Sequence, residues 1–167
     1  MLFRSTGEVM GIDDSFGKAF YKAELAAGTV LPSQGTVFLS LADGDKPAGI
    51  VVAKRLRELG FGIVATPGTA DYLGRFGYMV DTVVGKVSEG AKVTAVNLIA
   101  SGDISFVINT PQGRGGRTDG EAIRKAANVH RVSSVTTVEA ALAAVRGMAE
   151  QLNRPLEVRC LQEHHGR

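Results

Sequence analysis

Four short polar segments, each following an apolar run, carry the residue types that hold a phosphate. They are Ser40 with Asp43-Gly-Asp-Lys46, Thr66-Pro-Gly-Thr69, Gly85-Lys86, and Asn109-Thr-Pro-Gln-Gly-Arg114. Between them they offer two ammonium groups, Lys46 and Lys86, several hydroxyls including Thr110, and one carboxamide. The Thr66–Thr69 segment reads as a turn into a helix. Its first amides have no partner within the helix, and the helix dipole favours an anion there. Lys46 and Lys86 then balance charge, and Asn109 is suited to reading a base or sugar edge. Taken singly, each piece has an ordinary structural use: a Gly-Thr cap, a solvated surface lysine, an Asn in a turn. A phosphate site requires all four to meet at one rim.

Other chemistry is poorly supplied. No Ser-His-Asp set is visible, Cys160 has no evident activating base, and no carboxylate follows Asn109 before Asp119. CxxC and HExxH spacings are absent, so no metal site is expected. His164-His165 reads as a loose tail, and His130 as a helix-end residue complementing the dipole. Arg114, Arg117, Arg124, Lys125 and Arg131 form a basic run, with Asp119 inside it, that suits either a second anion, an interdomain contact, or a solvated face.

The elements that must position these loops emerge from periodicity. Val37–Leu41, Phe61–Ala65, Tyr78–Val84, Ile104–Ile108 and Val132–Val135 read as short strands. Helices are expected from Asp45 to Gly60, with Val52, Leu56 and Leu59 inward, from Thr69 to Phe76, and from Val93 to Ala100. Two more are expected behind capping boxes, Thr118-Asp-Gly-Glu121 and Thr136-Thr-Val-Glu139. Ala141, Val145 and Met148 form the inner stripe of the last helix, and Leu156–Cys160 suggests an added edge strand. The alternation predicts an α/β fold, a doubly wound parallel sheet of about five strands with helices on both faces. Ligands in such sheets bind outside the carboxyl ends of the strands, where the four loops lie. Ahead of this unit, Asp13–Ala27 predicts a helix with Phe16, Ala19, Phe20 and Ala23 on one stripe. Thr29–Gly35 then reads as a linker.

The bulk composition sets limits. The chain has 167 residues, 44% hydrophobic and 22% charged, as in a soluble globular domain. A net charge of +2, from 19 basic and 17 acidic residues, argues against a dedicated nucleic-acid binder. No apolar run approaches the roughly 18 residues of a membrane span. The single cysteine gives no sign of an oxidising compartment, and the start lacks a signal-peptide layout, so a cytoplasmic location is expected.

Several segments together resemble a known family. Arg4-Ser-Thr-Gly-Glu-Val-Met-Gly11 resembles the end of the second ATP-grasp unit in the carbamoyl-phosphate synthase large subunit. The rest of the chain resembles that subunit's C-terminal allosteric domain, of methylglyoxal-synthase-like fold. Phe38-Leu-Ser40, Ala65-Thr-Pro-Gly-Thr-Ala70, Gly85-Lys-Val-Ser-Glu-Gly90, Ile108-Asn-Thr110 and Ile123-Arg-Lys-Ala-Ala127 carry the likeness, which runs over nearly the whole chain. The resemblance implies that residues 1–34 are the tail of a synthetase domain plus linker, and 35–167 a regulatory domain without catalysis of its own. It implies UMP- or IMP-type effectors at Ser40, Lys46, Thr66, Thr69, Lys86 and Asn109. It also implies a parent ligase using ATP and Mg or Mn, partnered by a glutaminase subunit, in pyrimidine and arginine biosynthesis. Pro67, Pro111 and Ser133 depart from the family pattern, and the Ser133 position lacks the histidine expected for ornithine. Two other readings of the same fold are a lyase acting on a phosphorylated triose and a ligand-free oligomerisation domain. The lyase needs a carboxylate base that the Asn109 segment does not offer.

Overall fold

The computed structural model describes residues 9–85, 91–110, 116–153, 157–160 and 162–163, with the side chains of 116–118 and 153 left aside. Arg4–Glu8, Lys86–Gly90, Pro111–Gly115, Leu156 and His164-His165 lie outside the described residues.

Five strands form one parallel sheet: β1 (Thr36–Leu41), β2 (Gly62–Ala65), β3 (Thr82–Val83), β4 (Phe106–Thr110) and β5 (Ser133–Val135). Their order is β3-β2-β1-β4-β5, so the chain winds outward from β1 to one edge, then returns to β1's other side. The switch point falls between β1 and β4.

Alternation along the strands divides the core in two. Val37, Leu39 and Leu41 of β1 join Ile63, Ala65, Phe106 and Ile108 in one cluster. That face is covered by α2 (Lys46–Glu58), α3 (Pro67–Arg75) and α6 (Val138–Asn153), through Val52, Leu56, Leu73, Ala141, Val145 and Met148. Phe38, Val64 and Val107 point the other way. They meet α4 (Ala95–Ala100) and α5 (Gly116–Val129) through Ala95, Ile99, Ile123 and Ala127. The doubly wound expectation is met, and the inner stripes of α2 and α6 are those the spacing predicts.

The first helix, α1 (Phe16–Ala26), packs against α6. Its buried face is Gly17 and Tyr21, whereas Phe16, placed on the inner stripe by periodicity, is 61% exposed. The cause is backbone proximity. A Cβ on Gly17 would lie 2.9 Å from the Arg146 carbonyl oxygen, so the helices cross where a side chain is missing. The segment read as a linker is anchored: Leu31 is fully buried in the first core cluster, and the Ser133 hydroxyl donates to the Val30 carbonyl at 2.9 Å.

Other expectations are corrected. The third strand is only two residues, since the Asp81 carboxylate accepts the Ile63 amide at 2.6 Å and the Arg57 guanidinium at 2.8 Å. Side-chain bonds there take the place of a longer ladder. The fourth strand runs two residues further than expected, because Asn109 and Thr110 keep pairing with Ser40 and Leu41. Helix α5 begins at Gly116, so Thr118 lies within it and cannot be its cap; Asp119 sits in the first turn, where the dipole favours a carboxylate. Helix α6 is capped by Thr137, whose hydroxyl accepts the Ala140 amide at 3.2 Å, rather than by Thr136. Residues 157–160 form no strand. Arg159 instead pairs with Asp14 at 3.5 Å and Glu157 at 2.6 Å.

Candidate functional site

The carboxyl ends of β1, β2 and β4 bring six of the seven expected effector residues to one edge of the sheet. Ser40 and Asn109 are register partners on adjacent strands at the switch point, and alternation turns both toward the face of Phe38 and Val107. Asn109 is only 3% exposed, and its Nδ2 is buried with no hydrogen-bond partner among the described residues. A buried carboxamide donor without an acceptor costs about 1–3 kcal/mol, so Asn109 carries an unused donor at the strand ends.

Thr66 and Thr69 frame the start of α3. Thr66 is its N-cap residue, and Pro67 at the first turn has no amide to leave unsatisfied. The Thr66 hydroxyl donates to the Thr69 hydroxyl at 3.1 Å. The Thr69 hydroxyl also accepts the Leu41 amide at 3.0 Å. On the other side, the Thr110 hydroxyl accepts the Ala42 amide, also at 3.0 Å. Thr69 and Thr110, both buried, therefore brace the loop that leaves β1.

Past the braced pair, the chain makes one 3-10 turn, Asp43–Asp45, and enters α2 at Lys46. The Lys46 side chain is largely covered, at 15% exposure. Its ammonium lies over the start of α3: a Cβ on Gly68 would be 3.5 Å from Nζ, and the Tyr72 ring centroid is 5.9 Å away. Among the described residues the Gly68 amide has no backbone acceptor. The positive helix end and the ammonium thus share one small region. The ion-pair partner of Lys46 among the described residues is Asp43, at 2.6 Å. That hydrogen bond to Lys46, with the lysine's charge, holds the Asp43 carboxyl below its ordinary pKa.

Sequence reasoning missed Tyr72. The signal was present, since Gly68 and Tyr72 are four apart and share a face of α3. Lys86 lies outside the described residues; Gly85, just before it, bridges to Thr94 beside β3. Of the basic run, Arg114 also lies outside them and the Arg117 side chain is left aside. Asp119 sits in the first turn of α5 and Arg124 is partly buried further along. At about 1.5 Å of rise per residue, the arginines at 117 and 124 are some 10 Å apart along the axis.

A groove of about 380 Å³ opens elsewhere, between α1, α2 and α6, lined by Phe16, Val51, Arg55, Leu142, Arg146 and Glu150 among others. It is larger than any space a single phosphate needs, but it lies away from the strand ends. The convergent polar groups are at the strand ends, and the site is placed there. No group of three or more His, Cys, Asp or Glu that could hold a metal occurs among the described residues. No helix among them is long and apolar enough to cross a membrane.

A five-stranded parallel sheet of this order, with helices on both faces, agrees with the family comparison. The profile of the MGS-like domain matches residues 49–136, more than half of the chain, and the chain belongs to that family. Over 97% of its length it is 45% identical to the carbamoyl phosphate synthase large chain of Archaeoglobus fulgidus, of which it covers 15%. It is 47% identical, again over 97%, to the C-terminal section of the large chain of Methanopyrus kandleri, of which it covers 30%. The large chain of Acidobacterium capsulatum is 47% identical over 97% of this chain and is covered to 15%. The chain spans a minor part of the length of these relatives.

Proposed function

We propose that this domain is an allosteric sensor for a phosphorylated nucleotide of the UMP or IMP type, serving a carbamoyl phosphate synthase large chain. One observation carries the reading: the buried Nδ2 of Asn109, unpartnered among the described residues, at the switch point, on the edge where Lys46 and the start of α3 concentrate positive charge. The phosphate would sit between the Lys46 ammonium and the Gly68 amide, with Thr66 and Lys86 as further donors. Asn109 and Ser40 would take the ribose or base. The similarity to large chains over nearly the whole sequence supports such a parent chain. In this reading the parent is a ligase using ATP and Mg or Mn in its other domains, with a glutaminase partner, and acts in pyrimidine and arginine biosynthesis in the cytoplasm.

In this reading occupancy shifts the placement of the domain against the synthetase body, and only by the ligand's differential affinity for the two states. Helix α1 is the natural coupling element. It is packed on α6 through Gly17, while Phe16 faces outward beside the groove. Titration calorimetry of the chain with UMP and IMP tests the reading. Saturable binding that Lys46→Met weakens strongly is expected, and no detectable heat with either at millimolar concentration would remove the nucleotide assignment.

A further inference from the structure

We propose that Asp43 is a built-in counter-ion to Lys46 that the ligand's phosphate must displace. The inference rests on the anion-site reading above and adds a residue that sets the affinity of that site.

The two partners of this pair are very unequally held. The Lys46 side chain is 15% exposed, its ammonium fixed over Gly68 and beside the Tyr72 ring. The Asp43 side chain is 94% exposed, and among the described residues Lys46 is its one hydrogen-bond partner. Without that carboxylate the ammonium would face the positive end of α3 with no counter-charge. With it, the ammonium has a counter-charge that is held only loosely at the surface.

The loop is built so that only the carboxylate needs to move. Leu41 and Ala42 are tied by the Thr69 and Thr110 hydroxyls at 3.0 Å each, and the Asp45 amide is bonded to the Ala42 carbonyl at 2.9 Å. Rotation of one short side chain returns Asp43 to water and frees the ammonium. An exposed ion pair of this kind is weak. A phosphate monoester carries nearly two charges at neutral pH and presents three acceptor oxygens. It therefore out-competes a single carboxylate that is held at one atom.

The test is calorimetric titration of the chain, at fixed ionic strength, with inorganic phosphate and with UMP. Wild type, Asp43→Asn, Lys46→Met and the double variant are compared, and thermal unfolding checks that each is folded. Asp43→Asn is expected to bind both probes about two- to five-fold more tightly than wild type. In the Lys46→Met background the same change is expected to give no gain. If wild type is silent at millimolar concentration, the nucleotide assignment falls and the counter-ion proposal that rests on it falls too, whatever Asp43→Asn does. If wild type binds and Asp43→Asn binds equally or more weakly, the counter-ion role is overturned and the phosphate site stands. If neither binds, both are overturned.

Discussion

The hydroxyl of Thr69, on α3, accepts the backbone amide of Leu41, at the end of β1, across 3.0 Å. One side chain thereby fixes the start of α3 relative to the loop that delivers Lys46. Thr69 is 1% exposed, so no water can replace it. Thr69→Val leaves a buried amide unsatisfied and is expected to cost about 1–3 kcal/mol in urea unfolding. Thr69→Ser keeps the oxygen and should stay close to wild type. Equal losses in the two variants would mean that the methyl group matters and the hydrogen bond does not.

Asn109 should separate stability from binding. Its Nδ2 is buried without a partner among the described residues, so Asn109→Leu, of the same branched shape, removes an unsatisfied group. The variant is expected to be as stable as wild type or more so by about 1 kcal/mol, while nucleotide binding is lost. A clear drop in unfolding free energy with binding retained would show that the carboxamide serves the fold.

The Arg57–Asp81 pair should appear in acid. The Arg57 hydrogen bond, aided by the Ile63 amide and outweighing partial burial, holds the Asp81 carboxyl below its ordinary pKa of about 3.8. A carboxyl with a depressed folded-state pKa stabilises fully above its unfolded value and loses that contribution as pH falls through the folded one. Asp81→Asn is therefore expected to be less stable than wild type at neutral pH, with the gap closing below about pH 3.8. A gap independent of pH down to acid unfolding would assign the effect to shape instead of charge.

Gly17 tests the α1–α6 crossing. A methyl group there meets the Arg146 carbonyl oxygen at 2.9 Å and Gly147 lies close by, so the backbones have no room to give. Gly17→Ala should destabilise by about 1–3 kcal/mol despite alanine's better helix propensity. Gain of stability in thermal unfolding would mean the helices part easily.

The layering of the sheet is legible in the sequence because its apolar runs are unambiguous. Val37 to Leu41 and Phe106 to Ile108 bury both of their faces, as a sheet covered on both sides requires. The loops holding Ser40, Lys46, Thr66, Thr69 and Asn109 can be found because a parallel sheet places all its strand ends on one side. Periodicity does not convey contact made by something other than an apolar side chain. Gly17 buries backbone, and so the true inner face of α1 lies one residue away from the stripe centred on Phe16. Asp81 and Thr69 replace ladder and loop bonds with side-chain oxygens, which hydrophobic patterning does not register. The partnership of Lys46 with Tyr72 joins two helices, and the sequence of neither one specifies the other.

The central claim is that separate strand-end loops form a single phosphate cup, and amide resonances report it directly. A nitrogen-15 labelled chain should be titrated with UMP while the Gly68 backbone amide and the Asn109 side-chain amide are followed. Both are predicted to shift along one saturable curve with a common dissociation constant, and both shifts should vanish in Lys46→Met. Shifts at one without the other, or movement confined to the groove around Phe16 and Arg146, would contradict the account.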